Sequence, residues 1–182
     1  MNRRLILPLL AVGLLLGVPL QGALNAYLKL KGTRQGNIEG SVTQKGREGT
    51  LRVLEYSHEI VSPRDAASGL PTGKRQHKPI RIVVELDRAT PLLYQALAGG
   101  ETLSEFTLRF YRPDRTGVEM NHFTIMLTNA SIASVKTMLP DTQDPANASR
   151  VETTELTLTY QKITWTWTDG GVTAEDDWVT AQ

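Results

Sequence analysis

The sequence contains no cysteine among its 182 residues. This absence excludes disulfide bridges, thiol nucleophiles and thiolate metal sites. Only three histidines occur, at positions 58, 77 and 122, and no pair of them has the spacing of a zinc site, so we expect ordinary surface or interface histidines. With 20 basic and 19 acidic residues, the chain also lacks the basic excess of nucleic-acid-binding proteins. We therefore expect no metal, no cofactor and no nucleic-acid partner.

Patterns that carry catalysis are missing as well. No Gly-x-Ser-x-Gly motif supports a serine nucleophile. Residues 69–74 resemble a phosphate-binding loop, but the spacing between Gly69 and Gly73 is one residue short. Arg75 also stands where such a loop needs serine or threonine, and a predicted strand follows. We expect no catalytic residue, and hence a protein that is not an enzyme.

Only one long apolar run occurs, at residues 5–20, directly after Arg3 and Arg4. Its length is that of a signal-peptide core and is short for a membrane span. Ala23 could precede a cleavage point, although Gln21 is not the small residue preferred there. Residues 1–22 are therefore predicted to be a hydrophobic leader, either a signal peptide or an overextended start, without stable membrane insertion. Residues 23–182 form the predicted domain.

Alternation of apolar and polar residues dominates this domain and predicts strands. It recurs at residues 24–31, 80–86, 106–111, 122–127, 155–160 and 162–167. One helix is also predicted, with Thr90 as its N-cap, Pro91 in its first turn and Gly99 with Gly100 at its end. Many strands and one helix indicate a mainly β fold, a small antiparallel β-barrel or a sandwich of two packed sheets, with one outer α-helix.

Residues 62–79, called the arm below, interrupt this pattern with an extended loop. Its glycines and prolines exclude a helix or a central strand, and strands are predicted on both sides. Structureless loops of this length are usually functional or disordered. Because both ends are held by a sheet, and because Lys74, Arg75 and Lys78 are basic, the arm is predicted to reach a neighbouring molecule.

The C-terminal region contains three tryptophans and an acidic cluster. Trp165 and Trp167 share one strand face, which indicates packing or a subunit contact, with carbohydrate stacking as the alternative. The consecutive acidic residues 175–177 would point to opposite faces of an extended chain, so we interpret them as a solvated end rather than a calcium site.

A series of short motifs runs in order along residues 23–178. They are ALNAYLKLKG at 23–32, GNIEG at 36–40, PRD at 63–65, SG at 68–69, GKR at 73–75, HKP at 77–79, LD at 86–87, TPLLY at 90–94, FYR at 110–112, LTNASI at 127–132, DP at 144–145, YQKITW at 160–165 and DDW at 176–178. Taken together, these motifs resemble the haemolysin-coregulated proteins (Hcp) of bacterial type VI secretion.

This resemblance implies a structural subunit that forms hexameric rings, which stack into a hollow tube. The implied partners are further copies of the chain, a contractile sheath, a spike protein and small effectors carried in the lumen. The tube would assemble in the bacterial cytoplasm and be secreted, while the leader leaves a periplasmic route open. The predicted stacking or subunit interface comprises Pro63, Asp65, Ser68, Gly69, Gly73, Lys74, Arg75, His77 and Pro79. The alternative is an exported periplasmic or extracellular β-barrel binding module.

Overall fold

The computed structural model describes residues 24–178. The predicted leader at residues 1–22 lies outside the described residues. The elements in chain order are β1 (Asn25–Gly32), β2 (Gly36–Ile38), β3 (Leu51–Ser57), β4 (Ile60–Val61), β5 (Gln76–His77), β6 (Ile80–Glu85), α1 (Thr90–Ala98), β7 (Thr102–Pro113), β8 (Glu119–Thr128), β9 (Ala130–Met138), a 3-10 turn (Pro145–Asn147), β10 (Thr153–Thr159), β11 (Lys162–Trp167) and β12 (Val172–Asp177).

Six strands close into a barrel in the order β1–β7–β9–β10–β6–β3, with β3 pairing back to β1. All of these pairings are antiparallel. Strand β7 makes the closure possible, because it pairs with β1 on one side and with both β9 and β8 on the other. Strands β11 and β12 continue outward from β8. The predicted mainly β fold with one helix is thus confirmed, and of the two predicted architectures the barrel is correct.

Alternating residues of these strands meet inside the barrel, as the period-two pattern predicts. Leu28 of β1 lies opposite Leu108 of β7, and Leu156 of β10 lies opposite Ile82 of β6. The strand residues of the core that are at most 2% exposed are Leu28, Leu30, Ile38, Leu51, Ile80, Ile82, Val84, Leu103, Phe106, Leu108, Ile125, Ala130, Leu156, Leu158 and Ile163.

Helix α1, the one α-helix among the described residues, begins at Thr90, the residue that was predicted to cap it. Thr90 is the first residue of α1 and is buried, and Ala89 precedes it at the cap position. The Asp87 carboxylate instead accepts the Ala89 N–H at 2.9 Å. The Thr90 hydroxyl lies 3.2 Å from that of Thr154, inside the fold. The N-cap prediction was therefore wrong: the Thr90 hydroxyl faces Thr154 and accepts the Asp87 N–H at 3.4 Å, while the Asp87 carbonyl accepts the first helical N–H, that of Thr90, at 3.1 Å.

A buried arginine fastens the loop at residues 39–50 to the barrel. The Arg47 guanidinium lies 3.7 Å from the ring centroid of Tyr111 and 4.8 Å from that of Tyr27. It also donates a hydrogen bond of 2.9 Å to Glu119. Arginine suits this position because its planar cation stacks on aromatic rings while its edge bonds a carboxylate.

Arg47→Lys is expected to destabilise the fold by about 1–2 kcal/mol, because an ammonium keeps the charge but loses the planar stacking. The measurement is the free energy of unfolding in urea. Arg52→Lys is the matched control: its side chain is half exposed and pairs with Glu85, so we expect a change within about 0.5 kcal/mol. Equal effects of the two substitutions would contradict a special role for the stacked guanidinium.

Candidate functional site: the arm and its anchor

The arm is more regular than its sequence predicts. Strands β4 and β5 pair at its base, with Ile60 opposite His77. Further out, the Thr72 N–H donates to the Pro63 carbonyl at 3.0 Å, and Arg64 forms an isolated bridge with Pro71. The arm is therefore a narrow hairpin rather than a structureless loop. Prolines keep the ladder incomplete, because they have no N–H to donate.

At the tip of the arm, Asp65 organises a tight turn. Its carboxylate accepts hydrogen bonds from the Ala67 N–H at 3.1 Å, and from the N–H and hydroxyl of Ser68, each at 2.7 Å. These bonds, first that of the Ser68 hydroxyl, lower the pKa of Asp65. Gly69 has a φ of +70°, which favours glycine. Three of the predicted interface residues, Asp65, Ser68 and Gly69, thus build the turn itself.

The outer part of the arm is open to solvent. Residues 64–74 are all exposed, and Leu70 keeps 65% of its surface accessible. Lys74 and Pro79 of the predicted set are exposed too, while Gly73 lies close to the Pro63 ring. A preformed and exposed hairpin loses little conformational entropy when a partner binds it.

The base of the arm is anchored through His77. This residue is only 6% exposed, so the expected surface position was wrong for it, while its place in the subunit interface stays a prediction. Its Nδ1 atom lies 2.8 Å from the Tyr160 hydroxyl and its Nε2 atom lies 2.7 Å from the Asp176 carboxylate. The histidine is buried because both ring nitrogens find partners there.

Asp176 joins the arm to the last described strand. It lies on β12, opposite Ile163, and accepts two hydrogen bonds from the Arg75 guanidinium. These bonds, and then the one from His77, lower the pKa of Asp176. Interpreting residues 175–177 as a solvated end was therefore wrong for Asp176. Pairing of β12 with β11 directs this carboxylate toward the arm.

A second histidine extends the chain of contacts. Nε2 of His58 lies 2.6 Å from the same Tyr160 hydroxyl, and the His58 ring stacks against Trp165 with a centroid distance of 6.4 Å. Sequence reasoning missed this cluster, because its hydrogen-bonded pairs are up to 102 positions apart and form no motif. We call five residues the anchor network: His58, Arg75, His77, Tyr160 and Asp176.

The tryptophans take different positions around this network. Trp165 packs against the apolar core, in agreement with the packing interpretation, whereas Trp167 is 38% exposed beneath the Arg112 guanidinium. Trp178 lies over His77 with a centroid distance of 5.1 Å and lines an open groove of about 500 Å³ beside it.

Residues 24–178 contain neither a metal-binding cluster nor a membrane-spanning helix. No cluster of three or more histidine, aspartate or glutamate side chains in this part of the chain is placed to hold a metal ion. Among the same residues, no helix has the length and apolar character needed to cross a membrane.

Comparisons with known proteins agree with this architecture. Residues 27–167 match the family described as "Type VI secretion system effector, Hcp". The major exported protein of Pseudomonas aeruginosa is 38% identical over 162 residues, which cover 84% of this chain and 94% of that protein.

Solved structures lead to the same family. A crystal structure of an Hcp protein has a TM-score of 0.80 and 31% identity, covering 86% of this chain and 98% of the other. A variant of Hcp1 from E. coli EAEC 042 has a TM-score of 0.76 and 32% identity, covering 86% and 99%. The barrel, helix α1 and these matches together show that the chain belongs to the Hcp family of type VI secretion.

Proposed function

We propose that this protein is a structural subunit of the type VI secretion inner tube, forming hexameric rings that stack through the arm. The observation that carries the proposal is the arm itself, a preformed hairpin that is exposed at its tip and tied at its base to β12 and to Tyr160. A projection of this kind suits a contact between successive copies, because the tip is free to bind while the base resists bending.

The proposed interface comprises the nine arm residues predicted from the sequence, and the geometry separates their roles. Asp65, Ser68 and Gly69 shape the tip, and Arg75 and His77 hold the base. A head-to-tail contact between identical subunits closes into a ring when its rotation divides a full turn. The near-zero net charge of the chain limits repulsion among many packed copies.

Partners and localisation follow from the same proposal. The subunits would assemble in the cytoplasm beside a contractile sheath, leave the cell behind a spike protein, and carry small effectors in the lumen. Export is supported by the relative in Pseudomonas aeruginosa, which is named a major exported protein. No catalytic role is proposed for any residue.

Electron microscopy of the purified protein in negative stain tests the assembly. We expect rings of about six subunits, which stack end to end as the protein concentration rises. Sedimentation velocity over the same concentrations should show a ring-sized species with little monomer. A monomer at every concentration would contradict the proposal and would favour the alternative of an exported binding module.

A further inference from the structure

The hydrogen positions in the anchor network follow from its partners. The Asp176 carboxylate, held by Arg75, is a pure acceptor, so the His77 Nε2 atom 2.7 Å away carries a hydrogen. In neutral His77, Nδ1 then accepts a hydrogen bond from the Tyr160 hydroxyl at 2.8 Å. The Tyr160 oxygen in turn accepts from Nε2–H of His58 at 2.6 Å. With both rings neutral, all of these hydrogen bonds are made.

One extra proton can enter without loss of a hydrogen bond. A proton on Nδ1 of His77 makes that nitrogen a donor to Tyr160, whose hydroxyl then turns and donates to His58. A proton on His58 leaves the original directions unchanged. In both cases each of the contacts still joins one donor to one acceptor.

With a second extra proton, the hydrogen bonds of the network can no longer all be made. Tyr160 would lie between two N–H donors, and its own hydroxyl hydrogen would have no acceptor within the network. The two charged imidazoles, with ring centroids 6.1 Å apart, would also repel each other in a partly buried environment. The geometry therefore limits the closed network to one extra proton.

The groups around the two histidines do not remove this limit. Hydrogen bonds from Arg75, and then from His77, lower the pKa of Asp176, so it remains an acceptor in mild acid. Burial raises the pKa of Tyr160, so it remains a neutral phenol. Imidazole is the side chain that ordinarily gains a proton in mild acid. The titratable groups around the two imidazoles are their direct partners Tyr160 and Asp176, Arg75 on the same carboxylate, Lys78 beside the groove that His77 lines, and Tyr56 and Asp177 next to these partners.

We propose that the anchor network is a pH-sensitive latch, which holds the base of the arm closed while it carries at most one extra proton and opens it when both His58 and His77 are charged. The arm would then swing away from β12 and Tyr160. The barrel would stay folded, because four of the five residues of the network lie outside the apolar core cluster, to which only Tyr160 belongs.

The direction of the pH dependence follows from His58. Burial, and then the charge of His77, lowers the pKa of His58 below its usual 6.5 in the closed state. An open base returns His58 to solvent and to its usual pKa, so the open state binds more protons below about pH 6.5. The closed latch is therefore fully stable above that pH. As the pH falls from there toward the lowered pKa, opening becomes about tenfold more favourable per pH unit.

The consequence for assembly rests on the proposed function. If the arm joins successive rings, acidification would separate the rings while each subunit stays folded. Opening of the latch is nevertheless measurable on unassembled protein at low concentration, so the latch and the tube can fail independently.

Hydrogen exchange tests the latch at the Lys78 amide, which donates to the Glu59 carbonyl at 3.0 Å beside the network. We expect its exchange, corrected for the intrinsic rate, to accelerate about tenfold per pH unit below pH 6.5. His58→Gln should keep the rate constant over this interval, because glutamine donates or accepts a hydrogen bond at this position without charging. His122→Gln is the matched control, since His122 lies on β8 and its pKa is also lowered by burial.

The outcomes are distinct. Acceleration in the wild type and in His122→Gln, but not in His58→Gln, supports the latch. Equal acceleration in all three proteins, or none in the wild type, would overturn it. Parallel acceleration of the Leu108 amide in the barrel would also overturn it, because the acid effect would then be global unfolding. If the latch opens but the chain forms no tubes at any pH, the proposed function fails and the latch stands.

Discussion

Shortening the arm is expected to abolish ring-on-ring stacking while the rings themselves persist. The suitable change replaces residues 65–70 by Asn-Gly, because Arg64 and Pro71 are bridged across the hairpin and a two-residue turn can join them. Removal of the whole segment from 64 to 78 is less suitable. It would delete Arg75 and His77 and leave Asp176 and Tyr160 without these partners.

The shortened protein should fold normally, because the deleted residues are exposed and contribute nothing to the core. Its free energy of unfolding should be within about 1 kcal/mol of that of the wild type. Electron microscopy should show separate rings, and secretion from cells should be lost.

A second turn provides the matched control for this variant. Residues 114–118 join β7 to β8, and the Asp114 carboxylate organises them much as Asp65 organises the tip of the arm. Replacing these five residues by Asn-Gly leaves the Pro113–Glu119 pair at the hairpin end. We expect this control to stack normally. Stacks formed by the arm variant, or failure of that variant to fold, would contradict the assigned role of the arm.

Phe106→Ala is expected to cause the largest loss of stability among simple substitutions. Phe106 lies on β7 opposite Leu30 of β1, is 2% exposed, and is the largest of the fully buried core side chains. Truncation leaves a cavity that a closed barrel cannot collapse to fill, at a cost of about 3–5 kcal/mol. For a chain of this size, that corresponds to a fall in melting temperature of roughly 6–20 °C.

Differential scanning calorimetry at one fixed protein concentration measures this effect, since self-association also shifts the midpoint. Met126→Ala is the control, because Met126 lies on the neighbouring strand β8 and is 44% exposed. We expect a change within about 1 kcal/mol for it. A similar loss in both variants would mean that burial in the barrel does not determine the cost.

Sequence patterns predicted the elements better than they predicted local chemistry. Alternation identified β1, β6, β7 and β10, because a half-buried strand must place every second side chain in the core. The N-cap at Thr90 was predicted wrongly, because the hydroxyl that Thr90 contacts belongs to Thr154, on a strand 64 positions away. Local propensity contains no information about such a partner.

In the arm too, local features could be predicted from the sequence, whereas contacts with distant residues could not. The position of the arm between two strands could be predicted from its glycines, its prolines and the alternation on both sides. Its anchoring could not, because β12 must first pair with β11 before the Asp176 carboxylate reaches Arg75 and His77.

The sequence by itself therefore determined the strand-rich fold, the single helix, the exposed arm and the family resemblance, since these depend on short-range periodicity, turn residues and ordered motifs. Only the tertiary structure decided which side chains are joined by hydrogen bonds at the base of the arm. The five residues of the anchor network are brought together by strand pairing across about a hundred positions, and burial in that place sets their pKa directions and their hydrogen-bond partners.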